Sequence, residues 1–161
     1  MYKLVLILAM MSLWITVHLM QVEEEMAMKT LSQGKRAINR AAHAAAQQVD
    51  KTALSEGIVR IDESAASREA ALYLQRNLQL DASGKPLPNS FLRHPVQVLV
   101  FDVINSEETF PYQYWNPHYN FEVELRSPGV VIIAKVVYPR AFTVMEPLEW
   151  EIRGAAELIA G

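Results

Sequence analysis

The stretch that decides the fold is Leu4-Val5-Leu6-Ile7-Leu8-Ala9-Met10-Met11-Ser12-Leu13-Trp14-Ile15-Thr16-Val17-His18-Leu19-Met20-Gln21-Val22, which carries no formal charge and stops at Glu23-Glu24-Glu25. A helix rises about 1.5 Å per residue, and a hydrocarbon core of about 30 Å needs roughly 20 such residues. The run is therefore long enough to cross a bilayer. Leu4, Leu6, Leu8, Leu13, Trp14, Val17, Leu19 and Val22 are its expected lipid-facing anchors. Ser12 and Thr16 are tolerable inside it because their hydroxyls can return to the helix's own carbonyls.

Charge sets the expected orientation. Lys3 and the amino terminus precede the run, whereas three glutamates follow it before the next basic residue, Lys29. The positive-inside tendency then places the amino terminus in the cytoplasm and the remainder outside, in a single-pass cell-membrane protein. A cleaved secretory signal shares the basic start and the apolar core. Its core is usually only about 7 to 15 residues, however, and Gln21 to Lys29 offers no small-x-small cleavage site. An uncleaved anchor over 1–22 is the expectation.

Working outward, roughly 140 residues remain, enough for one modest extracytoplasmic domain over 23–161. All the acidic residues lie there, so no broad basic field favours nucleic acid. The chain has no cysteine, which excludes a disulfide framework and thiolate zinc sites.

From Met26 to about Glu56 no proline interrupts the chain. Ala27, Leu31, Gly34, Ile38, Ala41, Ala45 and Val49 recur in steps of three and four, as one stripe of an amphipathic helix continuing from the anchor, with a possible break near Gly34. Leu31, Ile38, Ala41, Ala42, Ala45 and Val49 form a small-residue face that permits close approach, either to a neighbouring subunit or to the chain's own sheet. Gly57 is read as the end of this helix. Asp62 is placed as the N-cap of a second, running from Glu63 to about Leu80, so that the helical part covers 23–80.

The segment 81–95, with Gly84, Pro86 and Pro88, reads as a linker. Extended structure is expected over 96–153, with a tail at 154–161. Val96 to Ile104 is valine-rich, and Phe121, Val123 and Leu125 alternate with Glu122, Glu124 and Arg126. Ser127-Pro128-Gly129 is expected to turn that strand into an antiparallel hairpin with Val130 to Tyr138, and Leu148 to Arg153 alternates as a further strand. The fold class is thus α+β: a transmembrane helix continuing into an amphipathic helix, a second helix, then a small antiparallel sheet.

Chemistry is sparse. His18, His43, His94 and His118 are scattered without metal-ligand spacing, and Gly84-Lys85 lacks the rest of a phosphate loop. Asp102, Glu107, Glu108, Glu122 and Glu124 are the carboxylates that a hydrolase would have to use, but solvated positions are their ordinary setting. The reading is of a protein without enzymatic activity, cofactor or metal. Lys35, Arg36 and Arg40 are its one basic cluster, able to touch lipid phosphate or an acidic neighbour. The aromatic, proline-bounded segment from Phe110 to Tyr119 is expected to be a loop or edge excursion packed as a lid over the sheet; the alternative makes its Tyr112, Tyr114, Trp115 and Tyr119 a candidate site for a protein, peptide or glycan.

The order of these parts resembles pilin-like subunits, and more closely the TadE-like pseudopilins of tight-adherence pilus systems. The resemblance lies in the Leu4–Val22 anchor, the tract Arg40-Ala41-Ala42-His43-Ala44-Ala45-Ala46 and the late strands Phe121–Leu125 and Val130–Tyr138. It implies an accessory subunit in assembly of a pilus or secretion apparatus, with the membrane, pilin-like or secretion-platform proteins and copies of itself as partners. Only Met1-Tyr2-Lys3 precedes the apolar run and the glutamates follow it, which departs from the processed amino terminus of pilin precursors. The alternative is a solitary anchored module that binds a peptide or glycan.

Overall fold

The computed structural model describes residues 2–140 and 146–159. Its first element, α1, is one helix from Tyr2–Ala46, unbroken at Gly34. At about 1.5 Å per residue it is close to 70 Å long. The glycine does not break the helix because it serves packing: a Cβ there would lie 2.7 Å from Ile152 Cδ1. The helix also ends ten residues short of the expected Glu56. Asp50 begins a separate short helix, α2 (Lys51–Ser55), by accepting from the backbone N–H groups of Thr52 and Ala53. The Arg60 guanidinium holds that same carboxylate at 2.6 Å. Gly57 follows α2 rather than α1, with a φ of +81° that glycine adopts without steric cost.

The next helix, α3 (Glu63–Leu78), begins as expected, with the Asp62 carboxylate accepting from Ala65 N. It stops at Gln79, which is left-handed at φ 53°, so Leu80 lies outside it and bridges to Pro86.

Five strands follow: β1 (Gln97–Ile104), β2 (Tyr112–Asn116), β3 (Phe121–Leu125), β4 (Gly129–Tyr138) and β5 (Leu148–Glu157). They form an antiparallel three-stranded sheet in the order β1-β4-β5 and a separate β2-β3 hairpin. The expected hairpin between Phe121–Leu125 and Val130–Tyr138 is therefore absent. β3 pairs instead with β2, placing Trp115 opposite Glu122, and β4 lies between β1 and β5. The bend at Ser127–Gly129 carries the chain from one layer to the other. It is tied to the end of β5, where Leu158 N donates to Pro128 O, Ser127 Oγ donates to Leu158 O and Arg126 N donates to the Glu157 carboxylate. β5 also takes up the first half of the segment expected as a tail, 154–157.

Central β4 explains the layering. Val130, Ile132, Ala134 and Val136 pack beneath α1 and α3 with Ile38, Ala41, Ala42, Leu74 and Leu78. Val131 and Ile133 point the other way and are covered by the β2-β3 hairpin through Tyr114 and Leu125. Alternate residues of one strand thus serve two cores, as the two-residue period of a strand requires. The result is helices, sheet and hairpin in three layers, with the first 21 described residues of α1, Tyr2 to Val22, exposed and outside them.

Two reciprocal contacts seat α1 on the sheet. Gly34 receives Ile152 of β5, while Gly154 of β5 receives Ile38 of α1, where an added Cβ would lie 2.9 Å from Ile38 Cγ2. Helix and strand approach this closely because each supplies a glycine opposite the other's isoleucine.

Candidate functional site

The bare first half of α1, the expected anchor, is the most distinctive surface. Leu4, Leu6, Leu8, Leu13, Trp14, Val17, Leu19 and Val22 are all exposed. The helix contains an 18-residue window apolar enough to cross a membrane, and none of that window is buried in the protein. In water such a surface would be strongly unfavourable, which is the physical case for a lipid-facing segment. Its two hydroxyls return to the helix: Ser12 Oγ donates to Leu8 O and Thr16 Oγ1 to Ser12 O, each at 2.9 Å. His18 stacks on Trp14, with ring centroids 5.5 Å apart.

The small-residue face lies elsewhere. Ile38, Ala41, Ala42 and Ala45 have no exposed area, because α3 and the sheet cover them within the same chain. They cannot form the subunit contact considered for them. Leu31 and Val49 are half-buried against the same core, and Val49 also bridges to Ile61. The side of α1 left to solvent carries Lys29, Ser32, Arg36, Asn39 and His43 instead.

The aromatic candidates do not form one loop. Tyr112, Tyr114 and Trp115 belong to β2, and Tyr119 to the turn after it. Strand alternation turns Tyr112 and Tyr114 into the second core, where Phe121 packs beside Tyr114 at a ring distance of 6.3 Å. Tyr119 packs on that core as well, with its ring edge-on to His118. Only Trp115 faces solvent, at 53% exposure. The proline-bounded aromatic run is therefore chiefly an internal cover for the sheet.

Tyr114 fastens that cover. Its hydroxyl donates to the Asp102 carboxylate of β1 and receives a longer bond from Asn116 Nδ2. Burial, and then the bond to Asp102, hold the phenol above its ordinary pKa, so it stays protonated as a donor. Asp102, Glu107, Glu108, Tyr112 and Tyr114 border one cleft of about 600 Å³. Glu122 and Glu124 lie apart from it on β3, where Glu122 accepts from Gln113 at 2.8 Å and Glu124 faces Arg126 at 3.7 Å. Among the described residues no group of three or more His, Cys, Asp or Glu is placed to hold a metal.

The basic cluster divides as well. Arg40 donates to Asn77 of α3 at 3.1 Å and lines a cleft with Arg36, whereas Lys35 borders a different cleft beside Lys135 and Glu149.

Two polar residues not singled out from the sequence are buried joints. Asn105, just after β1, accepts from Ile61 N at 2.7 Å and donates to Ile61 O at 3.1 Å, imitating a strand partner for the segment between α2 and α3. Ser90 donates to Leu78 O and accepts from Leu92 N, tying the linker to the end of α3. The Asn105-Ser106 step at the end of an apolar run is only a weak signal for the first, and nothing local marks the second.

Comparisons of the chain with protein-family models, with curated proteins and with solved structures find no match.

Proposed function

We propose that this chain is a non-enzymatic, single-span membrane protein that acts as a pilin-like accessory subunit in assembling a pilus or secretion apparatus, with its domain outside the cytoplasm. The observation that carries the reading is α1 itself. One unbroken helix, Tyr2–Ala46, is bare and apolar in its first half and forms one wall of the folded domain in its second. Such a helix holds the domain at a fixed height and angle to whatever surrounds the bare half. That surrounding is lipid in an isolated subunit and other apolar helices in an assembly.

With Ile38, Ala41, Ala42 and Ala45 inside the chain, the neighbour-facing surface is the bare half of α1 together with its solvent-side stripe of Ser32, Arg36, Asn39 and His43. A binding module built on the aromatic run is less well supported, because Tyr114 is buried and Tyr112 and Tyr119 are packed. Blue-native electrophoresis of gently solubilised native membranes tests the proposal. Migration in complexes several times the monomer mass is the expected result, and a strictly monomeric band contradicts it.

A further inference from the structure

The helix is a ruler for depth. If Val22 marks the outer edge of the hydrocarbon, each residue beyond it stands about 1.5 Å farther out. The headgroup layer on one side is about 5 to 7 Å thick. Residues of the domain that touch α1 between Val22 and Met26 therefore lie inside that layer, provided that α1 is the membrane anchor and runs along the bilayer normal.

Two grooves flank α1 at this height. One, of about 380 Å³, brings Phe91, Arg93, Tyr138 and Pro139 against Leu19, Val22 and Met26. The other, of about 320 Å³, brings Tyr138, Arg140, Leu148 and Trp150 against Met20, Glu24, Ala27 and Met28, and so reaches to about 9 Å beyond Val22 on the same ruler. Glu23 stands between them and borders both. The Tyr138 and Trp150 rings lie 6.2 Å apart, and Phe91 and Leu148 remain only half-buried. Met26 and Met28 are exposed at 56% and 63%, so the apolar surface of α1 continues past the three glutamates.

This composition is that of a membrane interface. Aromatic rings with a polar edge favour the headgroup level, and an arginine there reaches phosphate while its methylenes stay apolar. Arg93 is exposed and has no ion pair among the described residues; its guanidinium makes one bond, 3.3 Å to Ser90 O. Lys35, Arg36 and Arg40, the basic residues that the sequence offers for lipid phosphate, stand roughly 20 Å or more beyond Val22 on the same ruler, out of reach of the headgroups.

We propose that the base of the folded domain is a lipid-contact surface. Phe91, Tyr138 and Leu148 sit in the phospholipid headgroup layer beside α1, with Trp150 at its outer edge, and the Arg93 guanidinium rests on a lipid phosphate. The domain is thereby seated on the bilayer rather than held above it on a stalk, and the bilayer completes the cover of two grooves that the described residues leave open. This inference rests on reading α1 as the anchor.

The absence of cysteine from the sequence permits the test. Single cysteines at Leu13, Arg93 and Ser106 place an environment-sensitive NBD fluorophore in the anchor, at the base and at the far end of the domain. The full-length variants are reconstituted into phosphatidylcholine–phosphatidylglycerol vesicles. Nitroxide is carried either on the lipid headgroup or deep in the acyl chain. The expected result is strong acyl-chain quenching at Leu13, headgroup quenching at Arg93 several-fold above that at Ser106, and a blue-shifted Arg93 emission. A Leu13 label untouched by acyl nitroxide overturns the anchor and the inference with it. A quenched Leu13 label with Arg93 indistinguishable from Ser106 overturns the lipid-contact surface alone. A Phe91→Trp variant in a background with Trp14, Trp115 and Trp150 replaced by Phe repeats the measurement with Arg93 intact.

Discussion

Gly154→Ala and Gly34→Ala add the same methyl group to the two sides of one helix–sheet contact, yet they should behave differently. At Gly154 the new Cβ meets Ile38 Cγ2 at 2.9 Å and Asn39 Oδ1 at 3.0 Å, with the Ile38 backbone carbon at 3.5 Å behind them. Cγ2 is borne directly on a branched Cβ, so it cannot move without turning an isoleucine in a helix, where one rotamer dominates. The helix must lift from the sheet, which by analogy with overpacked cores costs about 1 to 3 kcal/mol. At Gly34 the new Cβ meets Ile152 Cδ1 at 2.7 Å, but that atom is the flexible end of its side chain. The cost of moving it is offset by the roughly 1 kcal/mol that alanine gains over glycine within a helix, leaving a change within about 1 kcal/mol of zero.

Ile38→Ala supplies the decisive cross-check. Alone it removes a fully buried side chain and should cost about 2 to 5 kcal/mol. Combined with Gly154→Ala, the added methyl occupies space vacated by Ile38, so the double variant should be at least about 1 kcal/mol more stable than the sum of the two single losses. Urea unfolding of the full chain in detergent, followed by the fluorescence of Trp150, four residues along β5 from Gly154, in a Trp14→Phe, Trp115→Phe background, reads all four states. Losses that simply add within about 0.5 kcal/mol would show that Gly154 and Ile38 are not in contact as described.

Asn105→Ala leaves the buried Ile61 N–H and C=O without their side-chain partner and should cost about 2 to 5 kcal/mol, read from the same unfolding curves. Tyr114→Phe removes both hydrogen bonds of the hydroxyl and keeps the packing, so its cost should be about 1 to 2 kcal/mol, whereas Tyr114→Ala should cost about 3 to 5 kcal/mol. Asp50, Asp62 and Asp81 all have carboxyl pKa values held below the ordinary range, chiefly by hydrogen bonds from Arg60, Ala65 and Ser83 respectively. Because these folded-state values lie below the unfolded value of about 3.9, the stabilisation is present above that pH and is lost as pH falls through the folded values. Melting temperatures measured from pH 6 downward should thus drop most steeply below about pH 4, and changing the three residues to Asn should flatten that drop.

Features written in local periodicity were legible. The uninterrupted apolar run located the exposed half of α1, Asp62 marked the start of α3, and alternation at Leu148, Trp150 and Ile152 found β5. What could not be read depends on partners distant in sequence. Gly34 suggests a weak point in a helix until Ile152, more than a hundred residues later, is known to fill the space before it. Phe121–Leu125 and Val130–Tyr138 looked like one hairpin because both are good strands joined by a turn, but the bond pattern around Glu157 and Leu158 separates them into two layers. Likewise the alanine stripe was visible while its covering was not: the same small residues suit a sister subunit or the protein's own sheet, and only the tertiary arrangement assigns them to the sheet. The aromatic run was legible as a cover for the sheet but not as a strand, since its prolines suggested a loop while alternate residues of β2 were packing inward.

Assembly through the bare half of α1 is tested by single cysteines at Met11, on that surface, and at Ala82, on the exposed linker, in cells that naturally make the protein. Ala82 should react with an impermeant thiol reagent added outside. Crosslinking from Met11 should give recurrent products, identified by mass spectrometry, that contain a second copy or other single-span pilin-like or secretion-platform subunits. An Ala82 that reacts only after the membrane is opened, or a Met11 that yields uncrosslinked protein alone, would contradict an outward-facing assembly subunit.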